Sequence, residues 1–412
     1  MPARKSNLAA RERCVAFAGG GSGGHLTPAI AIAEELRTLW PDLKLLFFIS
    51  ERLVDQQILD ASGLNESASV ILVRQAIQPG PSLKRRPLRF LRGVTASVRQ
   101  CRRSLEQHGC GFVLGLGGFA SVPAILASRR FRLPVALLET NTIPGRANRM
   151  LSRFADVTFS GFPMEQRFVD RWVSPLITTA VPLRRSFFQS TGDHVQQTID
   201  VSAERPPAVD VRGSSANRSG NRAEKLLLVL GGSQGAQRLN ELVVNAVRLP
   251  GVLPPDWEIL HQTGADDVDR VRARYAECCG NVRVVPFIDD VCAAMKSASL
   301  VISRAGAVSL AEISAVGRAS ILIPLRNAAD GHQLQNAVFC VSRDAALIVD
   351  EADSGAVDVL AGHVRRVCGS EQTRDSMAAA AAGLQQRDAA ATIAKHILSQ
   401  MVDRQPAFGA DP

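Results

Sequence analysis

Residues 14–41 read CVAFAGGGSGGHLTPAIAIAEELRTLWP. A short apolar run of strand length comes first, five glycines follow within positions 19–24, and an alanine-, isoleucine- and leucine-rich run then carries helical spacing. Pro28 sits in the first turn of that helix and Pro41 lies just past its end, the two places where proline suits a helix boundary. A strand, a glycine loop and a helix in this order place unpaired backbone N–H groups and the positive end of a helix dipole at a strand end, a geometry that holds phosphate. Gly19, Gly21 and Gly24 match the G-x-G-x-x-G spacing of dinucleotide-binding folds, and the acid Glu51 follows the next strand, but a lone match of this kind is a weak signal. His25 and Leu26 stand where a Walker loop needs Lys and Ser/Thr, which argues against ATP hydrolysis.

The same alternation runs through the chain. Strands are expected at 15–18, 43–49, 70–73, 112–116, 135–138 and 156–159, and again at 225–230, 257–261, 282–285, 300–303, 320–324 and 347–349. Most are near-continuous apolar runs, as parallel strands covered on both faces must be. Between the two sets, residues 190–224 (STGDHVQQTIDVSAERPPAVDVRGSSANRSGNRAE) are polar and rich in Ser, Pro and Gly, a linker or disordered insertion by composition. The expected organisation is an N-terminal Rossmann-like domain over 1–185, a linker over 186–224, a second Rossmann-like domain over 225–400 and a tail over 401–412. The fold class is therefore α/β with two parallel sheets, and ligands are expected outside the carboxyl ends of the strands.

Composition narrows the classes. The chain has 412 residues, 46% hydrophobic and 21% charged, enough for two well-buried cores, and no apolar run approaches the ~18 residues of a membrane-spanning helix. The leader MPARKSNLAARER is basic without the apolar core of a secretory signal, and none of the eight cysteines forms a C-x-x-C pair, so a reducing, cytoplasmic setting is expected. The net charge of +9 is concentrated: Lys84, Arg85, Arg86, Arg89, Arg92, Arg99, Arg102 and Arg103 lie between residues 82 and 105 without an acid, interleaved with Leu83, Leu88, Phe90, Leu91, Val94 and Val98. A solvated helix usually mixes signs, so this stretch is read as a patch for an anionic membrane surface. An aromatic content of 5% offers few platforms for stacking nucleic acid bases.

The opening loop has counterparts. GLGGFAS at 115–121 follows another strand of the first half, GGSQGA at 231–236 follows the first strand of the second half, and RAGA at 304–307 follows the strand at 300–303. Each sets N–H groups and a helix start at a strand end, and their distribution over both domains points to two phosphorylated ligands. The alternative for any single loop is a tight turn with no ligand.

In this order and at these separations, GGGSGGHLTPAIAIAEEL, GLGGFASVPA, LETNTIPG, GGSQGAQRLN, SRAGAVSLAEISAVG and DGHQLQNA resemble the signature segments of the MurG family. That family consists of bacterial GT-B glycosyltransferases, with two Rossmann-like domains facing a cleft, which transfer N-acetylglucosamine (GlcNAc) from UDP-GlcNAc to undecaprenyl-linked lipid I. The resemblance covers the chain apart from the leader and residues 190–224. It implies peptidoglycan synthesis, inverting transfer to the C4 hydroxyl of the muramoyl sugar to give lipid II, no cofactor and no metal. It also implies a peripheral location on the cytoplasmic face of the cell membrane, no nucleic acid, and contact with other cell-wall synthesis proteins.

Carried over residue by residue, the resemblance implies that the second domain binds the donor. Ala307, Val308, Ser309, Leu310 and Ala311 would face its diphosphate, Glu312 its ribose hydroxyls, Ser233 the phosphates or sugar, Ile288 the uracil edge and Gln333 the GlcNAc hydroxyls. From the first domain, Ser22, Gly23, Gly24 and Asn141 would add donor contacts, and the loops at Ser22, Gly23, Gly24 and Gly117, Gly118, Phe119 would cradle the acceptor diphosphate. The family's G-N-P-V-R segment is Ala180-Val181-Pro182-Leu183-Arg184 here, so Arg184 keeps its nucleotide role only by its position.

His25 is the candidate base, with an ordinary pKa of ~6.5 suited to neutral pH. A hydrogen bond from His25 to the acceptor diphosphate is the competing role. Asp267-Val-Asp269 forms a D-x-D, but at a helix start where acids are common without metal. Other functions compatible with parts of the pattern are a UDP-GlcNAc 2-epimerase, another GT-B transferase, an NAD(P)-dependent oxidoreductase and a basic nucleic-acid-binding module.

Overall fold

The computed structural model describes residues 14–20, 23–64, 69–75, 87–189, 225–232, 235–276, 281–326 and 328–403. The chain divides into two compact units, residues 1–184 with 386–412, and residues 185–385.

The first unit runs β1 (Cys14–Gly19), α1 (Gly23–Leu39), β2 (Lys44–Ser50), α2 (Leu53–Ala61), β3 (Val70–Gln75), α3 (Pro87–Gln107), β4 (Cys110–Gly117), α4 (Ser121–Ser128), β5 (Val135–Glu139), α5 (Arg146–Leu151), β6 (Val157–Ser160), α6 (Gln166–Val169) and β7 (Leu176–Thr178). Its seven strands are all parallel, in the order β3-β2-β1-β4-β5-β6-β7. β1, β4 and β5 are buried along their whole length, which is why they read as unbroken apolar runs. One face of the sheet packs Phe17 and Phe47, stacked at 4.8 Å, under Leu26, Ile32 and Leu36 of α1. The other face packs Ala16, Phe48 and Val113 under Cys101 and Leu105 of α3 and Ile125 of α4. β7 was not expected from the sequence; it is a three-residue edge strand with Ile177 40% exposed, too short and too open to carry a pattern.

The second unit runs β8 (Lys225–Leu230), α7 (Gln237–Val247), β9 (Trp257–Gln262), α8 (Val268–Ala276), β10 (Val282–Val285), α9 (Val291–Ser297), β11 (Leu300–Ser303), α10 (Ala307–Val316), β12 (Ala319–Leu322), α11 (His332–Val341), β13 (Ala346–Ile348), α12 (Ala356–Gly369) and α13 (Glu371–Ala382). Its six parallel strands lie in the order β10-β9-β8-β11-β12-β13. Trp257, Leu239, Val243 and Leu360 centre its core.

Two expected boundaries change. The second domain does not extend to residue 400: α14 (Ala389–Asp403) returns to the first unit, where Ile393, Ala394, Ile397 and Met401 share one apolar cluster with Leu36 of α1 and Phe159 of β6. Residues 186–189 are not linker but the start of the second unit, where Phe187 is buried and the Ser186 carbonyl accepts from Lys296 Nζ at 2.6 Å. The linker or insertion expected at 190–224 lies outside the described residues.

Candidate functional site

A sheet whose strand order reverses leaves a crevice where two neighbouring strands send their connections to opposite faces. In the first unit that point lies between β1 and β4, whose ends are in register at Gly19 and Gly117. In the second it lies between β8 and β11. The four glycine loops read from the sequence follow these four strands, so each unit carries one pair of loops at its switch point.

In the first unit the pair converges on His25, which is half-buried in the first turn of α1. Gly117 and Gly118 have φ of +86° and +70°, values that a side-chain-bearing residue adopts only with strain. A methyl group at Gly117 would sit 3.4 Å from His25 Cε1, and one at Gly118 would sit 3.5 Å from His25 Nε2 and 3.1 Å from the Gly20 carbonyl oxygen. The first and second loops therefore meet at the imidazole. Gly23 and Gly24 open α1 and Phe119 is half-buried beside Gly118, while Ser22 lies outside the described residues. Glu51 is exposed after β2 and forms no part of this corner; Asp55 instead backs it, fully buried, accepting from Ser50 Oγ at 2.5 Å with Gly20 packed so closely that a methyl there would meet Asp55 Oδ2.

The LETNTIPG turn is organised by Glu139, 3% exposed at the end of β5. Its Oε1 accepts from the backbone N and Nδ2 of Asn141 at 3.0 and 3.2 Å, and its Oε2 accepts from Gly145 N at 2.8 Å and Asn148 Nδ2 at 3.0 Å. Asn141 is thus held by a buried carboxylate. Glu139, Asn148 and Asp55 were not singled out in the sequence; the only trace was a carboxylate and two amides within one conspicuous turn segment. Arg184 forms an ion pair with Glu34 of α1 at 2.7 Å. Ala180, where the resembling family has glycine, takes φ +62°.

In the second unit, Gly232 and Gly235 have φ of +81° and +75°, and Gln262 Nε2 holds the Gly232 carbonyl at 3.1 Å; Ser233 lies outside the described residues. Beneath this loop His261, fully buried, meets Tyr275 Oη at 3.0 Å and Asn240 Oδ1 at 3.1 Å, while Asn240 Nδ2 donates to Thr263 O and Asp267 Oδ2. Burial pushes the His261 imidazole down to about 3, so it is neutral. Asp267, from the D-x-D, is bound by Arg270 at 2.6 Å, and this pairing holds its carboxyl below the usual range; Asp269 pairs with Arg272 at 3.0 Å.

At the other loop of this pair, Arg304 is locked by Glu351 at 2.7 Å and by the Ile323 carbonyl at 3.0 Å, which fixes the turn into α10. That helix opens with Ala307, Val308, Ser309, Leu310 and Ala311 and has no acid in its first turn, leaving its N-terminus open to an anion. Glu312 follows on the next turn, half-exposed by surface area, yet its carboxyl is raised to about 8 by desolvation. α11 packs on α10 and is tied to the turn before it by Asn336 Nδ2 donating to the Ala305 carbonyl, and Gln333 Oε1 accepts from Leu325 N at 2.9 Å. Ile288 is 9% exposed in the segment leading to α9, which also packs on α10. Apart from Ser233, the residues of this unit expected at the donor site thus lie on α10 or on segments that pack against it.

Of the basic patch, Lys84, Arg85 and Arg86 lie outside the described residues and Arg89 is described only in its backbone; Arg92, Arg99, Arg102 and Arg103 are exposed on α3. Cys101, Leu105 and the half-buried Val98 face the core, so the apolar side of the second half of this helix serves the fold. No helix among the described residues is long and apolar enough to cross a membrane.

Two Rossmann-like units with a pair of phosphate-type loops at each switch point define an enzyme of the GT-B architecture. Residues 15–160 match the glycosyltransferase family 28 N-terminal domain and residues 226–393 match the glycosyltransferase family 28 C-terminal domain. The chain belongs to this family, and it is a hexosyltransferase.

Among its relatives is the UDP-N-acetylglucosamine--N-acetylmuramyl-(pentapeptide) pyrophosphoryl-undecaprenol N-acetylglucosamine transferase of Sorangium cellulosum, 37% identical over 93% of this chain and 87% of that protein. The protein of the same name from Pelobacter propionicus is 34% identical over 93% of this chain and 98% of its own. Among solved structures, Acinetobacter baumannii MurG shares the fold with a TM-score of 0.67 and 24% identity, covering 94% of this chain and 99% of that one. A putative UDP-N-acetylglucosamine 2-epimerase from Listeria monocytogenes shares it with a TM-score of 0.65 at 14% identity, covering 97% and 100%.

Proposed function

We propose that this glycosyltransferase moves N-acetylglucosamine from UDP-GlcNAc to the C4 hydroxyl of the muramoyl sugar of undecaprenyl-linked lipid I, giving lipid II. The observation that carries this reading is the convergence of two glycine loops on His25 in the first unit, together with a separate donor-type helix start within the second. The relatives named above bear that activity in their names, whereas an NAD(P) enzyme needs only one such site.

The acceptor oxygen attacks the anomeric carbon while the bond to the UDP oxygen breaks; the electron pair leaves with UDP and the hydroxyl proton passes to His25 Nε2. One displacement inverts the anomeric centre, from α to β. The N–H groups at the start of α10 stabilise the charge on the departing diphosphate, so the step as written needs no metal. Glu312 holds the ribose hydroxyls, Gln333 the GlcNAc hydroxyls and Ile288 the uracil edge; Ser233, Asn141, Ser22, Gly23 and Gly24 complete the donor contacts, and Gly117, Gly118 and Phe119 face the acceptor diphosphate. Arg184, whose Nη2 pairs with Glu34, contacts the nucleotide. The arginines of α3 meet anionic lipid on the cytoplasmic face of the membrane, where other cell-wall enzymes are expected to gather.

The test is incubation with labelled UDP-GlcNAc and a lipid I analogue. A lipid-linked disaccharide is expected; its absence under all conditions rejects the reading, and release of free ManNAc or UDP-ManNAc identifies an epimerase instead.

A further inference from the structure

The carboxamide of Asn148, on α5, is 2% exposed, and its orientation is set by two acceptors: Nδ2 donates to the Leu138 carbonyl and to Glu139 Oε2, each at 3.0 Å. Turning the amide over would press Oδ1 against both oxygens, so Oδ1 must point the other way. There it is buried and has no hydrogen-bond partner. Buried carbonyl-type oxygens are almost always paired, and an unpaired one beside a reactive group calls for a donor that arrives during function.

The geometry around Gly117 shows which donor is at hand. A methyl group on Gly117 would lie 3.2 Å from Asn148 Nδ2, 3.5 Å from Asn148 Oδ1 and 3.4 Å from His25 Cε1, so both side chains border one small space. Cε1, which lies between the two ring nitrogens, is the imidazole atom nearest that space. The Nε2 and Cδ2 atoms lie on the Gly118 side, 3.5 and 3.6 Å from the corresponding position there. Nδ1 is therefore on the side away from Gly118, and it is shut off from solvent.

We infer that Asn148 is a positioning residue for His25, its Oδ1 accepting a hydrogen bond from Nδ1–H of the imidazolium that forms when Nε2 takes the acceptor proton. This rests on His25 being the base of the proposed reaction. Asn148 Nδ2 donates to the Glu139 carboxylate, so the buried negative charge polarises the amide and strengthens Oδ1 as an acceptor for the ring. It repeats the logic by which a base is held in one tautomer by a third group, with a neutral amide between carboxylate and imidazole. The carboxylates backing this corner are Glu139, at the end of β5, and Asp55, on α2 behind Gly20, and both favour a cationic ring. No proton leaves the ring toward Asn148, because an amide oxygen only accepts.

The test is nitrogen-15 NMR of the full chain labelled at its seven histidines, with His25 assigned by loss of its signals in His25→Gln. Neutral His25 in the unmodified protein should be the Nδ1–H tautomer. Asn148→Ala should lower the His25 pKa by about half a unit to one unit. It should move the acidic limb of the kcat profile down with it and reduce kcat on the order of tenfold, with donor KM nearly unchanged. A predominant Nε2–H tautomer overturns the inference even if no variant folds. So does a folded Asn148→Ala chain in which only thermal stability falls. The titration needs no substrate, so a protein that makes no lipid-linked product sinks the functional reading while this pairing is still judged on its own spectrum.

Discussion

Gly118 lies against the imidazole of His25: a methyl group there would touch Nε2 in ordinary contact at 3.5 Å but would stand only 3.1 Å from the Gly20 carbonyl oxygen, on a backbone already at φ +70°. Gly118→Ala should cost about 1–2 kcal/mol for the left-handed backbone alone. It should also reduce turnover, because the added methyl displaces the Gly20 loop that packs beside the ring. Thermal melting and a kcat measurement on one preparation check both parts; unchanged turnover would mean that this loop does not bear on the reaction.

Ala180 carries φ +62° and is 5% exposed, a left-handed backbone on a residue with a side chain. Ala180→Gly should therefore stabilise the chain by about 1 kcal/mol, reduced by the greater freedom glycine has when unfolded. A urea unfolding midpoint that moves down instead would show that the alanine methyl packs well enough to repay the strain.

Burial raises the Glu312 carboxyl from 4.5 to about 8. Between those values the native chain keeps a proton that the unfolded chain has lost, so this residue makes stability fall as pH rises from about 4.5 toward 8. Glu312→Gln, neutral throughout, should match the parent near pH 4.5 and gain on it progressively up to pH 8 in melting temperature. If ribose hydroxyls donate to Glu312 as a carboxylate, UDP binding at neutral pH should also release a proton, detectable by calorimetry in buffers of different ionisation enthalpy. An equal gap at both pH values would show that the group is ionised in the native state.

His261 has the opposite sign. Its pKa is pushed down to about 3 by burial, so below the ordinary value of 6.5 the unfolded chain takes up a proton that the native one refuses, and stability is lost as pH falls from 6.5 toward 3. His261→Gln should flatten that acid limb, at some cost at neutral pH from the altered contacts to Asn240 and Tyr275. An unchanged acid slope would assign the acid sensitivity to other groups.

Arg92, Arg99, Arg102 and Arg103 are exposed on α3. Replacing them with glutamine should weaken binding to vesicles containing anionic lipid, with little effect on neutral vesicles, and added salt should mimic the replacement. Sedimentation that is insensitive to both would remove this helix as a membrane contact.

The strands were legible because parallel strands covered on both faces leave unbroken apolar runs such as 110–117 and 225–230, and the glycine loops were legible because glycine is what a positive φ at a strand end demands. β7 was not, since three edge residues with an open face satisfy no pattern. The return of α14 to the first unit was also hidden. An amphipathic helix specifies an apolar stripe but not which sheet will cover it, and Ile393 and Ile397 could have served either core.

The same division holds at the site. By itself the sequence determined two Rossmann-like halves and the four loops and marked His25 as the candidate base among them, because these depend on local spacing and residue chemistry. Only the tertiary structure decided that the strand order reverses between β1 and β4, which joins loops about a hundred residues apart at one imidazole. The partnership of Glu139 with Asn148 was likewise decided there. A hydrogen bond between polar side chains requires their placement within about 3 Å, and local spacing alone did not specify that packing.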